Sequence, residues 1–172
     1  MRRIILITTG GTIEKTYDES TGELANRHSI VRKMLGRLRL EDTEVSILEL
    51  MHKDSLLLTP FDRAKVVDVV RTFGAEDTAG ETTGIVVLHG TDTLHETGEL
   101  LFSSIPSPQL PIVLTGALRP YEMKKSDALQ NLTEAIFAAG LLSPGVYCVA
   151  HGRVLPFPGV VKDRARGTFV RS

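Results

Sequence analysis

Ile4-Ile5-Leu6-Ile7-Thr8-Thr9-Gly10-Gly11-Thr12-Ile13 and Ile85-Val86-Val87-Leu88-His89-Gly90-Thr91-Asp92-Thr93 decide how this chain is read. Each begins as an unbroken run of branched aliphatic residues and ends in glycine and threonine. A short apolar run without polar alternation is the pattern of a strand buried on both faces, the kind found in parallel sheets. In an open parallel sheet, the residues just past the carboxyl ends of the strands converge on one crevice, and ligands bind there. The two Gly-Thr turns, far apart in sequence, are therefore expected to face each other across one pocket. The glycines let backbone N–H groups approach a ligand closely, and the threonines supply hydroxyls.

Strand and helix patterns alternate outward from these two stretches. Val45 to Leu50, Ile112 to Thr115 and Gly145 to Ala150 read as further strands. Asn26 to Leu38 has helical spacing, with Ile30, Met34, Leu35 and Leu38 on one face. Thr59-Pro60 reads as an N-cap followed by proline at the first helical position. That helix is expected to run to about Phe73 and to bury Val66, Val69 and Val70. Thr93 to Phe102 and Ser126 to Ala139 complete the helices. Residues 16–24 are turn-rich and read as a hairpin or lid. Residues 74–83 read as a polar loop, and 151–172 as short extended pieces. Repeated β-then-α order predicts a three-layer α/β/α, Rossmann-like domain with a mostly parallel sheet, occupying residues 1–172 as one unit.

The 172 residues, 42% of them hydrophobic, suffice for a substantial core. Twenty basic and 21 acidic residues nearly cancel, which argues against a nucleic-acid surface or an anionic-membrane surface. Arg2-Arg3 and Lys162-Asp163-Arg164-Ala165-Arg166 are local basic clusters that read mainly as solvated edges. No apolar run reaches the length of a membrane span, and the run after Arg2-Arg3 is too short for a signal peptide. A cytoplasmic location is expected. The one cysteine, Cys148, has no partner for an intramolecular disulfide and reads as a small core residue. His28, His52, His89, His95 and His151 show no usual metal-ligand spacing, and His95-Glu96 lacks the second histidine of a zinc-protease motif. Neither metal nor cofactor is expected.

A neutral threonine hydroxyl is a weak nucleophile and needs a nearby base or a group that lowers its basicity. The candidates are Tyr17, close in sequence to Thr12, and the set Thr91, Asp92 and Lys162. A lysine beside a carboxylate can orient a hydroxyl and relay its proton. Backbone N–H groups around Gly11, Gly90 and Thr91 would serve a tetrahedral oxyanion. Plainer readings stay open for each. Gly-Gly-Thr is compatible with a simple tight turn, Thr91, Asp92 or Thr93 with a helix cap, and Tyr17 and Lys162 with ordinary surface residues. Phosphate-loop and dinucleotide-loop patterns are missing.

Taken together, Thr9-Gly10-Gly11-Thr12-Ile13 and His89-Gly90-Thr91-Asp92-Thr93 resemble the two signature motifs of the bacterial-type L-asparaginase family. Asp54-Ser55 through Thr59-Pro60 is similar to the family's substrate loop and following helix. Thr115-Gly116-Ala117-Leu118-Arg119-Pro120 and the segment around Val160-Val161-Lys162 also resemble family stretches. The resemblance implies hydrolysis of the side-chain amide of L-asparagine to aspartate and ammonia, with L-glutamine as a possible weak substrate. It implies Thr12 as the nucleophile that forms an acyl-enzyme, Tyr17 as the lid tyrosine, and Thr91, Asp92 and Lys162 as the second catalytic set. It implies substrate contacts from Gly11, Asp54, Ser55, Gly90, Thr91, Asp92 and Ala117. It also implies a homo-oligomer, and a short form lacking the family's second α/β domain. An amidase acting on another amide donor, or a non-catalytic amino-acid-binding module, is the alternative.

Overall fold

A computed structural model describes residues 1–77 and 79–172. The two quoted stretches form adjacent central strands. Strand β1 (Arg2–Gly10) is followed by a 3-10 turn over Thr12–Glu14 and a hairpin of β2 (Thr16–Asp18) and β3 (Glu23–Ala25). Then come α1 (Val31–Leu35), β4 (Thr43–Lys53), a 3-10 turn at Ser55–Leu57, and α2 (Pro60–Thr72). The second half contains β5 (Gly84–Leu88), α3 (Leu94–Ser104), β6 (Pro111–Thr115), α4 (Ala128–Ala139), β7 (Gly145–Ala150), β8 (Arg153–Pro156), β9 (Val160–Asp163) and β10 (Thr168–Arg171).

The main sheet has the order β4-β1-β5-β6-β7-β8. Its pairings are parallel except for the antiparallel edge strand β8. The chain leaves β1 toward β4 on one side, while β5 continues toward β6 on the other. The carboxyl ends of β1 and β5 thus flank the point where strand order reverses, which is where an open α/β sheet opens its crevice. The register Thr8↔Leu88 aligns the two ends, and the Thr9 hydroxyl locks them by donating to Leu88 O at 2.8 Å.

Side chains alternate across the sheet as strand geometry requires. Ile7, Ile85, Val87, Ile112 and Leu114 pack with Val66, Val70, Leu94 and Leu101 of α2 and α3. Ile4, Leu6, Val86, Leu88 and Val113 face the opposite way, onto Val31 and Met34 of α1 and Leu132, Ala135 and Ile136 of α4. Both faces are covered, giving the predicted three layers. Cys148 is buried within β7, and burial pushes its thiol up to about 12. No helix among the described residues is long and apolar enough to cross a membrane.

Helix α2 begins as expected. Thr59 accepts from Asp62 N, and the Asp62 carboxylate accepts from Thr59 N, a reciprocal capping box with proline at the first turn. Val67 is buried beside Val66 and Val70, whereas Val69 is half-buried. The helix expected over 26–38 is shortened to Val31–Leu35. The Asn26 side chain donates to Gly11 O, Arg27 to Thr16 O and Ser29 to Glu14 Oε1. These contacts tie the segment to the turn after β1, so it runs as a strap before the helix starts. The polar loop read over 74–83 includes Thr78, which lies outside the described residues.

Candidate active site

The floor of the crevice is built by close backbone approach. Gly11 sits at φ +79, a conformation that favours glycine, and a Cβ there would lie 2.5 Å from both Cα and N of Gly90. A Cβ on Gly90 would lie 2.5 Å from Ser55 Cβ. The two signature turns and the turn at Ser55 therefore stack directly, with only glycine admitted between them. Ser55 is buried, and Thr93 Oγ1 donates to its carbonyl at 2.9 Å. Thr93 occupies the N-cap position of α3, but its hydroxyl is spent on Ser55 rather than on capping.

On the β5 side, Thr91 is buried and Asp92 half-buried. Lys162 Nζ donates to Thr91 Oγ1 at 2.7 Å and to Asp92 Oδ1 at 2.9 Å. The Lys162 hydrogen bond and charge hold the Asp92 carboxyl below its ordinary range, with Arg164 adding to the effect from 2.8 Å. On the β1 side, Thr12 is half-buried at the start of its 3-10 turn. Its hydroxyl forms no hydrogen bond among the described residues. Glu14, on the same turn, is buried and accepts from Ser29; burial raises its carboxyl despite that contact.

The structure thus brings together Gly11, Ser55 and Gly90 by stacking, and Thr91, Asp92 and Lys162 by hydrogen bonds. Ala117 is buried in the loop after β6, beside Gly116, whose Cα approaches the β5 turn so closely that a Cβ would meet His89 O at 2.2 Å. One expectation changes. The Gly11 N–H donates to Lys53 O at 2.9 Å, so it is not free to serve an oxyanion. The Asp54 carboxylate is engaged, with Lys15 Nζ 2.7 Å away and Leu56 N donating to it, which leaves the expected contact through the backbone beside Ser55 unaffected. The Lys15 contact lowers the Asp54 carboxyl. Tyr17 lies in β2, 58% exposed, while its backbone N donates to Glu122 Oε2 at 3.1 Å. A shallow cavity of ≈ 330 Å³ lies between this hairpin and the Asp54 turn, bordered by Lys15, Asn26, Lys53, Asp54 and Leu57.

Several contributing residues escaped the sequence reading. His89 is fully buried, and burial drives its imidazole down to about 4, with Arg63 and His95 adding repulsion. Its Nδ1 lies 2.8 Å from Gly90 O and its Nε2 2.7 Å from Thr97 Oγ1. A carbonyl only accepts, so Nδ1 carries the proton and Nε2 accepts from Thr97. Thr97 in turn accepts from Arg63 at 2.8 Å. This neutral histidine fixes the Gly90 peptide, and thereby the direction in which Thr91 leaves β5. Its signal in the sequence was a histidine at the end of an apolar strand. Lys15 gave none, because its partner lies 39 residues away.

Similarity to known proteins agrees with this fold. The site is an α/β switch point with two stacked Gly-Thr turns, the second of them met by a lysine from the separate strand β9. Residues 3–168 match the family model for the asparaginase N-terminal domain, and the chain belongs to the asparaginase family. It is 31% identical over 165 residues to an L-asparaginase of Thermococcus kodakarensis, covering 96% of this chain and 49% of that protein. It is 30% identical over 158 residues to a glutamyl-tRNA(Gln) amidotransferase subunit of Methanococcus vannielii, covering 90% of this chain and 35% of that one. The solved structure of the thermostable T. kodakarensis L-asparaginase superposes with a TM-score of 0.85 at 29% identity, covering 98% of this chain and 51% of that one. The chain spans about half the length, or less, of the curated relatives it matches.

Proposed function

We propose that this chain is an amidohydrolase that acts on the side-chain amide of L-asparagine. The observation that carries the reading is the Lys162–Thr91–Asp92 cluster on the turn stacked against the Thr12 turn. In this reading the Thr12 oxygen bonds to the amide carbon and the C–N bond breaks. With Lys162 as the neutral amine, it takes the Thr91 hydroxyl proton as Thr91 takes that of Thr12, and the proton then passes to the departing nitrogen, which leaves as ammonia. Water then attacks the ester, releasing aspartate and restoring Thr12. Backbone N–H groups at Gly90 and Thr91 face the developing oxyanion, Ser55 takes the α-carboxylate, and Asp92 takes the α-ammonium. Ala117 lines the pocket near the amide, and Tyr17 belongs to the hairpin that covers it.

Ammonia release from L-asparagine and L-glutamine over a millimolar range tests the proposal. Asparagine turnover is expected in the wild type, reduced by about 10²- to 10⁴-fold in Thr12→Ala and in Lys162→Met. Turnover at the wild-type rate in either variant would remove that residue from the mechanism. The similarity to an amidotransferase component supports a second reading, in which the same residues free ammonia from an amide donor for a partner enzyme. A folded wild type that releases no ammonia by itself would favour that reading, or a binding module.

A further inference from the structure

The lysine that reaches Thr91 stands on a strand outside the main sheet. Among the described residues, strands β9 and β10 pair only with each other, in the register Lys162↔Phe169 and Asp163↔Thr168. Something other than the sheet ladder must fix the angle at which this hairpin delivers Lys162. Val160 and Phe169 anchor it in the core, Gly159 N donates to Glu99 Oε1, and Arg153 donates to Phe169 O. A further polar tie runs through His151. His151 Nδ1 lies 3.0 Å from Thr168 Oγ1, and its Nε2 lies 2.7 Å from Asp127 Oδ2. A carboxylate only accepts, so Nε2 carries a proton, and Nδ1 and the Thr168 hydroxyl share the second hydrogen bond.

The far side of His151 leads to the same place. Asp127 accepts from the backbone N–H groups of Leu118 and Arg119. Asn131 accepts from His151 N at 3.0 Å and donates to Gly116 O at 2.9 Å. Gly116 in turn abuts Thr91, whose Cγ2 would lie 3.2 Å from a Cβ placed there. His151 thus joins two arms that both end on Thr91: the β9–β10 hairpin through Thr168 and Lys162, and the 116–119 loop through Asp127 and Asn131. We propose that His151 is a positioning residue, which sets how Lys162 meets Thr91 by bridging Thr168 to the Asp127 cluster. Its consequence for turnover rests on the reading of Lys162 and Thr91 given above.

Two substitutions isolate the bridge. His151 has φ 54, a conformation that glycine adopts freely, so His151→Gly removes the imidazole without straining the backbone. Thr168→Val keeps a β-branched residue in its strand and deletes only the hydroxyl, and Thr168→Ser restores it. For asparagine turnover, kcat is expected to fall by about tenfold in His151→Gly and Thr168→Val, with KM within about twofold of wild type and with recovery in Thr168→Ser. Acetylation of lysine amines, read residue by residue by mass spectrometry, supplies a measure that does not need turnover. Lys162 is expected to react faster in the two bridge variants, while Lys53 and Lys124 keep their wild-type rates. Unchanged Lys162 reactivity, or an equal rise at all three lysines, would overturn the proposal. If the wild type hydrolyses no asparagine but Lys162 alone becomes reactive, the positioning role stands and the amidohydrolase reading falls.

Discussion

The floor of the crevice and the hairpins that reach over it are held by different forces. Gly11 packs on the Gly90 backbone and Gly90 on the Ser55 side chain, with no space for one added carbon at either glycine. The β2–β3 and β9–β10 hairpins stand outside the six-stranded sheet and meet the site through charged side chains, Lys15 just before β2 on Asp54 and Lys162 of β9 on Thr91 and Asp92. Close packing resists small displacements because interiors are dense. A part-exposed ion pair contributes much less and can open and close. The floor is therefore the rigid template and the β2–β3 hairpin its adjustable member, while β9–β10 stands between the two, anchored in the core by Val160 and Phe169.

The sharpest way to break this contrast is Gly11→Ala. The added Cβ meets Gly90 backbone at 2.5 Å, at φ +79. Left-handed strain and overpacking together are expected to cost about 3 kcal/mol of stability. Thermal unfolding measures it, and a variant as stable as wild type would show that the floor yields. A second test uses the buried histidine beneath the floor. His89 is held at about 4 in the folded state, against roughly 6.5 in an unfolded chain. Between those values the unfolded chain binds more protons, so stability falls as pH is lowered through the window and levels off below it. From pH 7 to pH 5 the loss attributable to His89 is about 2 kcal/mol. Urea unfolding at the two pH values should show this difference in wild type and a much smaller one in His89→Asn. Equal slopes would mean that His89 is not the group being titrated.

The smallest effect is expected at the hairpin. Lys15→Met removes a part-exposed ion pair, worth less than about 1 kcal/mol. Hydrogen exchange is expected to speed up across residues 16–25 while β1 and β5 keep their protection. Faster exchange in those two strands would place the hairpin among the rigid members and dissolve the distinction.

The contrast also explains what could be read from the sequence. The strands were legible because β1, β5, β6 and β7 are short apolar runs, and the start of α2 was legible because Thr59-Pro60 is a local signal. The two Gly-Thr turns followed from their place after the strands. Residues 26–29 misled because the helical spacing of Ile30, Met34, Leu35 and Leu38 invites extension back over them, while Asn26, Arg27 and Ser29 spend their side chains on distant partners that no local pattern reveals. The same limit applies to Lys162. Resemblance to the family singled it out, but its distance of 71 residues from Thr91 is bridged only by tertiary structure. Thr93 looked like a cap and sits where a cap should, yet its hydroxyl supports Ser55. The template was written in local sequence, and the adjustable parts in long-range contacts.

The burial of Cys148 has a practical kinetic meaning. A thiol held as high as about 12, inside β7 and fully enclosed, offers a reagent neither a thiolate nor a path at neutral pH. Alkylation can then proceed only through molecules in which the sheet has come apart between β6 and β7 or β7 and β8. As the one cysteine of the chain, it reports without competition from any other site. The ratio of its modification rate to that of a free thiol gives the fraction of time the sheet spends open, in the same tube and at the same moment as an assay of the crevice above it.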